Sequence, residues 1–530
     1  MKTNVLKSFA IFFLLFNVNL FFCFSQNADI IFTNGKIFTS DENNLFVEAL
    51  AIKGNKILSV GSNEDIEKSA TEETIRFDLQ GKTVIPGLND AHEHLGFIEP
   101  EINYINEEMT FEGMDKRIVL DSIAILSKIA KPNQWIGGTI GTKILFDTGV
   151  RSALDSLAPN NPVILQIWWG HGMVINKKTL EAAGISDSDK DPLGGWFYRD
   201  PSTNNISSIH ENAQLDVWSA MSASHYEQQL ESLKLYAQEK LKRGVTTIQQ
   251  MSSNFNAEQS SIMFKKANLP QRIRIISWPR TTSAGRQMKE WENVTDSLAP
   301  LVYFSGIKYL LDGTPLEHNA LNKEPYDEES EFYGRLNYPV DTIKQILVEA
   351  AKGDRQLMIH ISGDSTLSTV LEIMKDIAPA EIWKTKRVRI EHNPSQNITD
   401  AELNYVKEFG LLMMHTPKYG QSSPIRSLLN KGIIVGISPD IITNPFLDIK
   451  IITSMQNNPL ENVTIEQAVI AYTRTNSFAE FKEKEKGTLA RGMLADLVVL
   501  SQDIFTVPKD LLPDTKSVIT MIDGKIVYQQ

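Results

Sequence analysis

Cysteine is almost missing from this chain. The only one, Cys23, falls within the first 26 residues, so a chain processed there has neither a disulfide nor a thiolate. Such a protein must rest on a large apolar core. Any metal it binds must be held by nitrogen and oxygen. Basic charge is also in deficit: 53 Lys and Arg face 65 Asp and Glu, a formal charge of −12. That balance gives no footing for nucleic acid, which needs a basic surface. Histidine is scarce too, with nine in 530 residues, so the places where they fall carry information.

The apolar run Phe9 to Phe24 follows Lys2 and Lys7, is interrupted by Asn17 and Asn19, and ends at Cys23-Phe-Ser25 before Gln26. It is shorter than the roughly 20 apolar residues of a spanning helix. Residues 1–25 therefore read as a signal peptide, cleaved near Ser25–Gln26, with export to the periplasm or beyond and no stable membrane span in the mature chain. An uncleaved anchor is the alternative. Lipidation of Cys23 is disfavoured by the bulky Phe22 before it.

The length calls for about two to four domains. Both ends read as β. Ala28–Asn34 and Lys36–Thr39 flank Asn34-Gly35, and Phe46–Lys53 and Lys56–Val60 flank Gly54-Asn55. Ala495–Leu500, Val518–Asp523 and Lys525–Tyr528 follow at the far end, the last two around Asp523-Gly524. Such dipeptides signal hairpins. Neither end has enough strands to bury a sheet face alone, so residues 26–86 and 485–530 are expected to share one small β-sandwich.

Between them, eight apolar segments suggest the parallel strands of a (β/α)8 TIM-like barrel over 87–484. They are Gly87–His94, Val245–Met251, Arg272–Trp278, Gly306–Leu311, Gln356–His360, Arg387–His392, Leu411–His415 and Ile433–Ile437. Helical patterns at Tyr226–Arg243, Asp341–Lys352, Ser365–Ile377 and Asp400–Phe409 separate several of them, with Gly244 as a C-cap and Asp341 and Asp400 as N-caps. The gap after the first strand is too long for a βα loop, so 95–225 is an inserted lobe. It holds five of the eight tryptophans, and no internal repeat beyond the βα alternation is visible.

Barrel active sites lie at the C-terminal ends of the strands. Those ends carry His92 and His94, Lys308, His360, His392 and Asp440. On a strand, i and i+2 share a face, so His92 and His94 can point at one ion. A lone histidine at a strand end is commonly core or surface, and Asp440 alone reads as a turn or cap residue; it is their joint occurrence that makes a metal site. Lys308 can snorkel to water. If buried, its pKa falls, and the neutral amine can react with CO2 to form a carbamate able to bridge two metals.

The pattern Pro86-Gly-Leu-Asn-Asp-Ala-His-Glu-His94, with a fourth-strand lysine, single histidines on strands five and six and an aspartate on strand eight, resembles the amidohydrolase superfamily. The closer resemblance is to its amidohydrolase-3 branch, which includes N-substituted formamide deformylases and D-aminoacylase-like enzymes. Supporting segments are Gly170-His171-Gly172, Gly244-Val-Thr-Thr247, His360-Ile-Ser-Gly-Asp364, Arg389-Ile-Glu-His392 and the stretch from Gly487 to Val499. Four positions depart from the branch: Asn89, Trp169, Ser438-Pro439 before Asp440, and His210-Glu211.

The resemblance implies a divalent centre of one or two ions on His92, His94, His360 and His392, with Lys308 as a carbamate bridge and Asp440 at the metal. Zinc suits such ligands best, with iron or manganese as alternatives. It further implies metal-activated water attacking a non-peptide C–N bond of an amide, N-acyl or formamide small molecule. Asp440 serves as proton shuttle. His171, from the lobe, is a candidate donor to the substrate carbonyl; a local turn histidine is the competing reading. His415 is expected as core filler with pocket lining as the alternative, and His225 and His318 as structural or exposed. Competing functions are hydrolysis of an ester, lactone or phosphotriester at the same metals, and a secreted binding protein without turnover. A homo-oligomer is compatible with all of these.

Overall fold

The computed structural model describes residues 27–95, 100–104, 110–288, 297–327, 329, 331–392, 397–418, 423–440 and 444–530. The expected signal segment lies outside them. Eight strands form one parallel sheet that curls into a barrel: β1 (Leu88–Glu93), β2 (Val245–Ser252), β3 (Arg272–Ser277), β4 (Val302–Leu310), β5 (Leu357–His360), β6 (Arg389–Glu391), β7 (Leu412–His415) and β8 (Ile434–Ile437). Each pairs with the next in sequence. The seam between β8 and β1 is tied by single contacts. His92 N–H donates to Ser438 Oγ at 2.7 Å, and Asp440 N–H donates to the His92 carbonyl at 3.2 Å.

Period-two alternation sorts the strand residues. On β7, Met413 joins the main core between strands and helices, while Leu412 and Met414 meet Ala91 inside the barrel. β4 begins at Val302, four residues before the expected Gly306. Gly306 has φ +117° and sits at a register shift against β3, so the glycine marks a bulge inside the strand rather than its start.

Two helix caps differ from expectation. The N-cap of Asp400–Glu408 is Thr399, which forms a reciprocal capping box with Glu402; Asp400 is the first helical residue. The N-cap of Val340–Lys352 is Pro339, and Asp341 lies in the first turn. In both, the carboxylate still favours the positive end of the helix. The helix Tyr226–Leu241 stops two residues before the expected Arg243, with Lys242 as its C-cap, and Gly244 makes the turn beyond it at φ +80°.

The chain ends do share a sheet. Its order is Lys525–Gln529, Ser517–Ile522, Leu497–Leu500, Thr83–Pro86, Lys36–Phe38, Phe46–Val47. A second sheet, Lys56–Gly61, Ala49–Lys53, Ile30–Thr33, Ile75–Asp78, packs on it through Phe32, Leu50, Ile52, Val84, Leu497 and Met521. The hairpins at Gly54-Asn55 and Asp523-Gly524 are present. Asn34-Gly35 is not a hairpin: Ile30–Thr33 and Lys36–Phe38 belong to different sheets. Asn34 turns at φ 56°, and the missing Cβ of Gly35 leaves room for Leu79. The turn chemistry is right, but the chain uses it to cross the sandwich.

The insertion contains its own six-stranded mixed sheet, Gly195–Arg199, Ile206–Glu211, Gly172–Ile175, Val163–Ile167, Ile136–Ile140, Ile102–Tyr104. Among the described residues, no helix is long and apolar enough to cross a membrane.

Candidate metal centre

The strand ends bring all six expected residues together. His92 lies at the end of β1 and is fully buried. Its Nδ1 donates to Glu391 Oε2 at 2.6 Å, which leaves the lone pair of Nε2 facing the barrel mouth. Lys308 Nζ is 2.7 Å from that Nε2, and Asp440 Oδ1 is 3.0 Å from it. The same Asp440 oxygen is 3.4 Å from His94 Nε2, and the other is 3.8 Å from His392 Nδ1. The rings of His92 and His392 are 4.9 Å apart, and those of His360 and His392 4.4 Å. Thr416 Oγ1 holds His392 Nδ1 at 3.0 Å, and Ser362 Oγ lies 3.1 Å from His360 Nε2.

Backbone strain marks two of these residues. His392 has φ 73° and Asp440 φ 64°, a region non-glycine residues rarely occupy. Such strain persists where the surroundings over-determine it, often at functional sites.

Lys308 does not snorkel. It is 2% exposed, sits 5.3 Å from the Trp278 ring centre and contacts His92. Burial pulls its pKa down to about 8, against the opposing charges of Asp440 and Glu391. Burial likewise brings His94 to about 4 and holds His360 and His392 well below their usual range. For His92, burial and Lys308 oppose the imidazolium, but Asp440 and Glu391 outweigh them and push its pKa up. Burial works against the Asp440 carboxylate, yet His92 and His392 keep it well below the usual range. Imidazoles held neutral at His94, His360 and His392, an ionised carboxylate beside His92 and a lysine depressed by burial, with no thiol among them, are a donor set that fits a divalent cation.

Support comes from residues outside the six-residue set. Arg389 Nε donates to Glu391 Oε1 at 2.7 Å, and another nitrogen of Arg389 reaches Gln249 Oε1 at 2.6 Å. Glu391 thus fixes the ring of His92 from beneath, as outer partners of metal histidines do. On the other side of β1, Lys240 pairs with Asp90 at 2.6 Å and with Glu93. Ser438, one of the unusual positions, donates to Asp90 Oδ1 at 2.6 Å as well as closing the seam. Asn89, another, donates to Glu480 Oε1 at 2.7 Å.

His171 reaches the mouth from the lobe, with its ring 5.1 Å from that of His360. Its Nδ1 is 3.0 Å and 3.1 Å from the two oxygens of Glu211. Burial works against its charge, but Glu211, and then Glu317, push its pKa up to about 9. His415 points away: it follows Met413 to the outer face, and neither ring nitrogen has a hydrogen-bond partner among the described residues. Burial holds it neutral, near 3. His225 is buried with its Nε2 2.7 Å from a Glu101 carboxylate oxygen, and His318 is exposed and stacks on Tyr326.

A parallel barrel with a histidine, carboxylate and lysine cluster at its C-terminal mouth is the architecture of a metal-dependent hydrolase. The amidohydrolase-3 profile matches residues 76–528, and the chain belongs to the amidohydrolase family. It is 26% identical to Protein LONG AFTER FAR-RED 3 of Arabidopsis thaliana, covering 94% of this chain and 92% of that one. It is 24% identical to the putative amidohydrolase YtcJ of Bacillus subtilis (94% and 99%) and 22% identical to an N-substituted formamide deformylase of Arthrobacter pascens (96% and 99%). An uncharacterized metal-dependent hydrolase from Pyrococcus horikoshii OT3 has the same fold, with a TM-score of 0.68 at 18% identity over 91% of this chain and 99% of that one.

Proposed function

We propose that this chain is a zinc-dependent amidohydrolase that cleaves a non-peptide C–N bond in a small amide, N-acyl or formamide substrate. The observation that carries the reading is the reach of Asp440 to His92, His94 and His392 within one cluster, His92 buried and the other three half-buried at the barrel mouth. The similarity to a formamide deformylase over nearly the full length of both chains supports the bond type.

In this reading His92, His94, His360 and His392 hold the ion or ions, and Lys308 serves as a carbamate ligand when there are two. A bound ion supplies Lewis acidity, acidifying a water and polarising the scissile carbonyl. Asp440, held ionised, takes the proton of the attacking water and delivers it to the leaving nitrogen. The water oxygen adds to the carbonyl carbon, the C–N bond breaks, and the amine departs with the proton. His171, kept protonated on both ring nitrogens by Glu211 and Glu317, donates from Nε2 to the carbonyl oxygen as charge develops there. Glu391 and Arg389 keep the His92 ring in the tautomer that presents Nε2.

The test is a panel of N-acyl amino acids, formamides, cyclic amides, esters, lactones and phosphotriesters, run with zinc-reconstituted protein. Hydrolysis of at least one amide or formamide is expected to exceed that of its matched ester, and chelation should abolish it. Preference for esters or phosphotriesters would reassign the bond. A chain without bound metal and without turnover would be a binding protein of this fold.

Export belongs to the same proposal, on the strength of the charged start and the short apolar run. Mass spectrometry of the mature pool is expected to find a new N-terminus near Ser25–Gln26. An intact Met1 there would contradict it.

A further inference from the structure

Glu211 occupies an uncommon place. Its side chain has no exposed surface, and its backbone stands at φ 52°, ψ −130°, a conformation that favours glycine. Both its oxygens face His171 Nδ1. Beside it, on the same edge of the ring, Glu317 Oε1 lies 4.0 Å from the same nitrogen. Glu317 is itself fastened. Trp169 Nε1 donates to its Oε2 at 2.6 Å, the Thr314 N–H to its Oε1 at 2.6 Å, and the Thr314 hydroxyl also donates to Oε2.

These contacts join two parts of the chain. Trp169, His171 and Glu211 belong to the inserted lobe, while Thr314 and Glu317 lie on the loop after β4. Gly313 makes the junction possible. A Cβ there would come within 2.7 Å of Glu317 Oε1 and 2.9 Å of Glu211 Oε1, so the bare backbone packs against both carboxylates. The second ring nitrogen of His171, on the edge opposite Nδ1, takes no hydrogen bond from the described residues.

Two carboxylates and an imidazole this close resemble a further cation site. The committed oxygens of Glu317 argue for a hydrogen-bonded brace instead. We propose that Glu211 and Glu317 are positioning residues: they fix the lobe's His171 as an N–H donor at Nδ1, lock the lobe to the barrel, and hold the free Nε2 edge of the ring for the substrate. The last clause rests on the hydrolase reading above. The brace itself does not.

Two measurements on the zinc-loaded, full-length protein test it. The first is 15N-histidine NMR, with the His171 signal assigned by its loss in His171→Asn. A proton on Nδ1 is expected in the unaltered protein and in Glu211→Gln, which keeps an acceptor. Glu211→Ala should leave Nδ1 unprotonated in much of the population at pH 7. An unprotonated Nδ1, or no change in Glu211→Ala, would overturn the brace. This arm needs no turnover, so it stands even if the panel finds no substrate and the hydrolase reading fails.

The second is kinetic. Glu211→Ala should lower kcat roughly 10–100-fold with KM little changed and with the metal per chain unchanged, and Glu211→Gln should recover most of the loss. In the His171→Asn background, Glu211→Ala should cost no more than about 2-fold, because the two residues act as one unit. Full additivity, or loss of one metal equivalent in Glu211→Ala, would overturn the proposal. Should Glu211→Ala not fold, Glu211→Met, similar in length and without an acceptor, takes its place with the same expectations.

Discussion

Asp440→Asn is expected to lower kcat by roughly 10²-fold or more, the scale of general acid–base contributions, while much of the metal stays bound. Asparagine keeps the shape of the side chain but cannot take a proton at neutral pH. It also tolerates the left-handed backbone that Asp440 adopts at φ 64°, so the seam contact from the Asp440 N–H to the His92 carbonyl should survive. The four histidines should still hold at least one ion. Were Asp440 only a turn residue, the variant would show modestly lower stability with near-normal kcat per folded molecule. Metal content, Tm and kcat measured on one preparation decide between them, and a near-normal kcat would remove Asp440 from the mechanism.

Lys308→Ala is expected to lose both metal and activity, with partial rescue by short-chain carboxylic acids that stand in for the carbamate. The reason lies in the burial of the lysine. A charged amine 2% exposed beside His92 is costly, and burial brings its pKa down to about 8. The neutral form is the one that reacts with CO2. With that pKa, roughly a tenth of the amine is neutral at pH 7 and nine-tenths at pH 9. Loading of demetallated protein with zinc and bicarbonate should therefore speed up as pH rises through 8. Full metal occupancy and full activity in Lys308→Ala would leave a one-metal site in which the lysine has no part.

The placement of this centre was legible because its residues end apolar strands. His360 closes the apolar run Leu357-Met-Ile, His392 and Asp440 follow segments with alternating apolar positions (Val388 and Ile390; Val435 and Ile437), and strand ends converge in a parallel barrel. The i, i+2 spacing of His92 and His94 is likewise local. Glu391 was not legible. It is adjacent to His392 in the chain, yet its partner is His92, and only barrel closure brings β6 against β1. Glu211 and Glu317 were hidden for the same reason, since one sits in the lobe and the other on a barrel loop. The turn at Asn34-Gly35 shows the limit from the other side: dipeptide chemistry fixes the bend, while the partner of each flanking strand is set by which sheet buries it. His415 could have been resolved by alternation alone, because its strand neighbour Met414 faces inward with Leu412 and Ala91.

The unusual positions are explained by what they touch. Ser438 stitches β8 to Asp90 and His92, and Trp169 anchors Glu317. Neither replaces a member of the six-residue cluster. They alter its supports and the wall beside His171, where a substrate would be read rather than where the ion would sit.

In this reading the cluster at the barrel mouth binds the catalytic ion. The most direct measurement is an anomalous difference map at the zinc edge from crystals of the zinc-loaded protein. One or two peaks are expected at Zn–N distances of about 2.0–2.1 Å from nitrogens of His92, His94, His360 and His392, with extra density on Lys308 Nζ where two peaks appear. Zinc found elsewhere in the molecule, with these four imidazoles unligated, would contradict it.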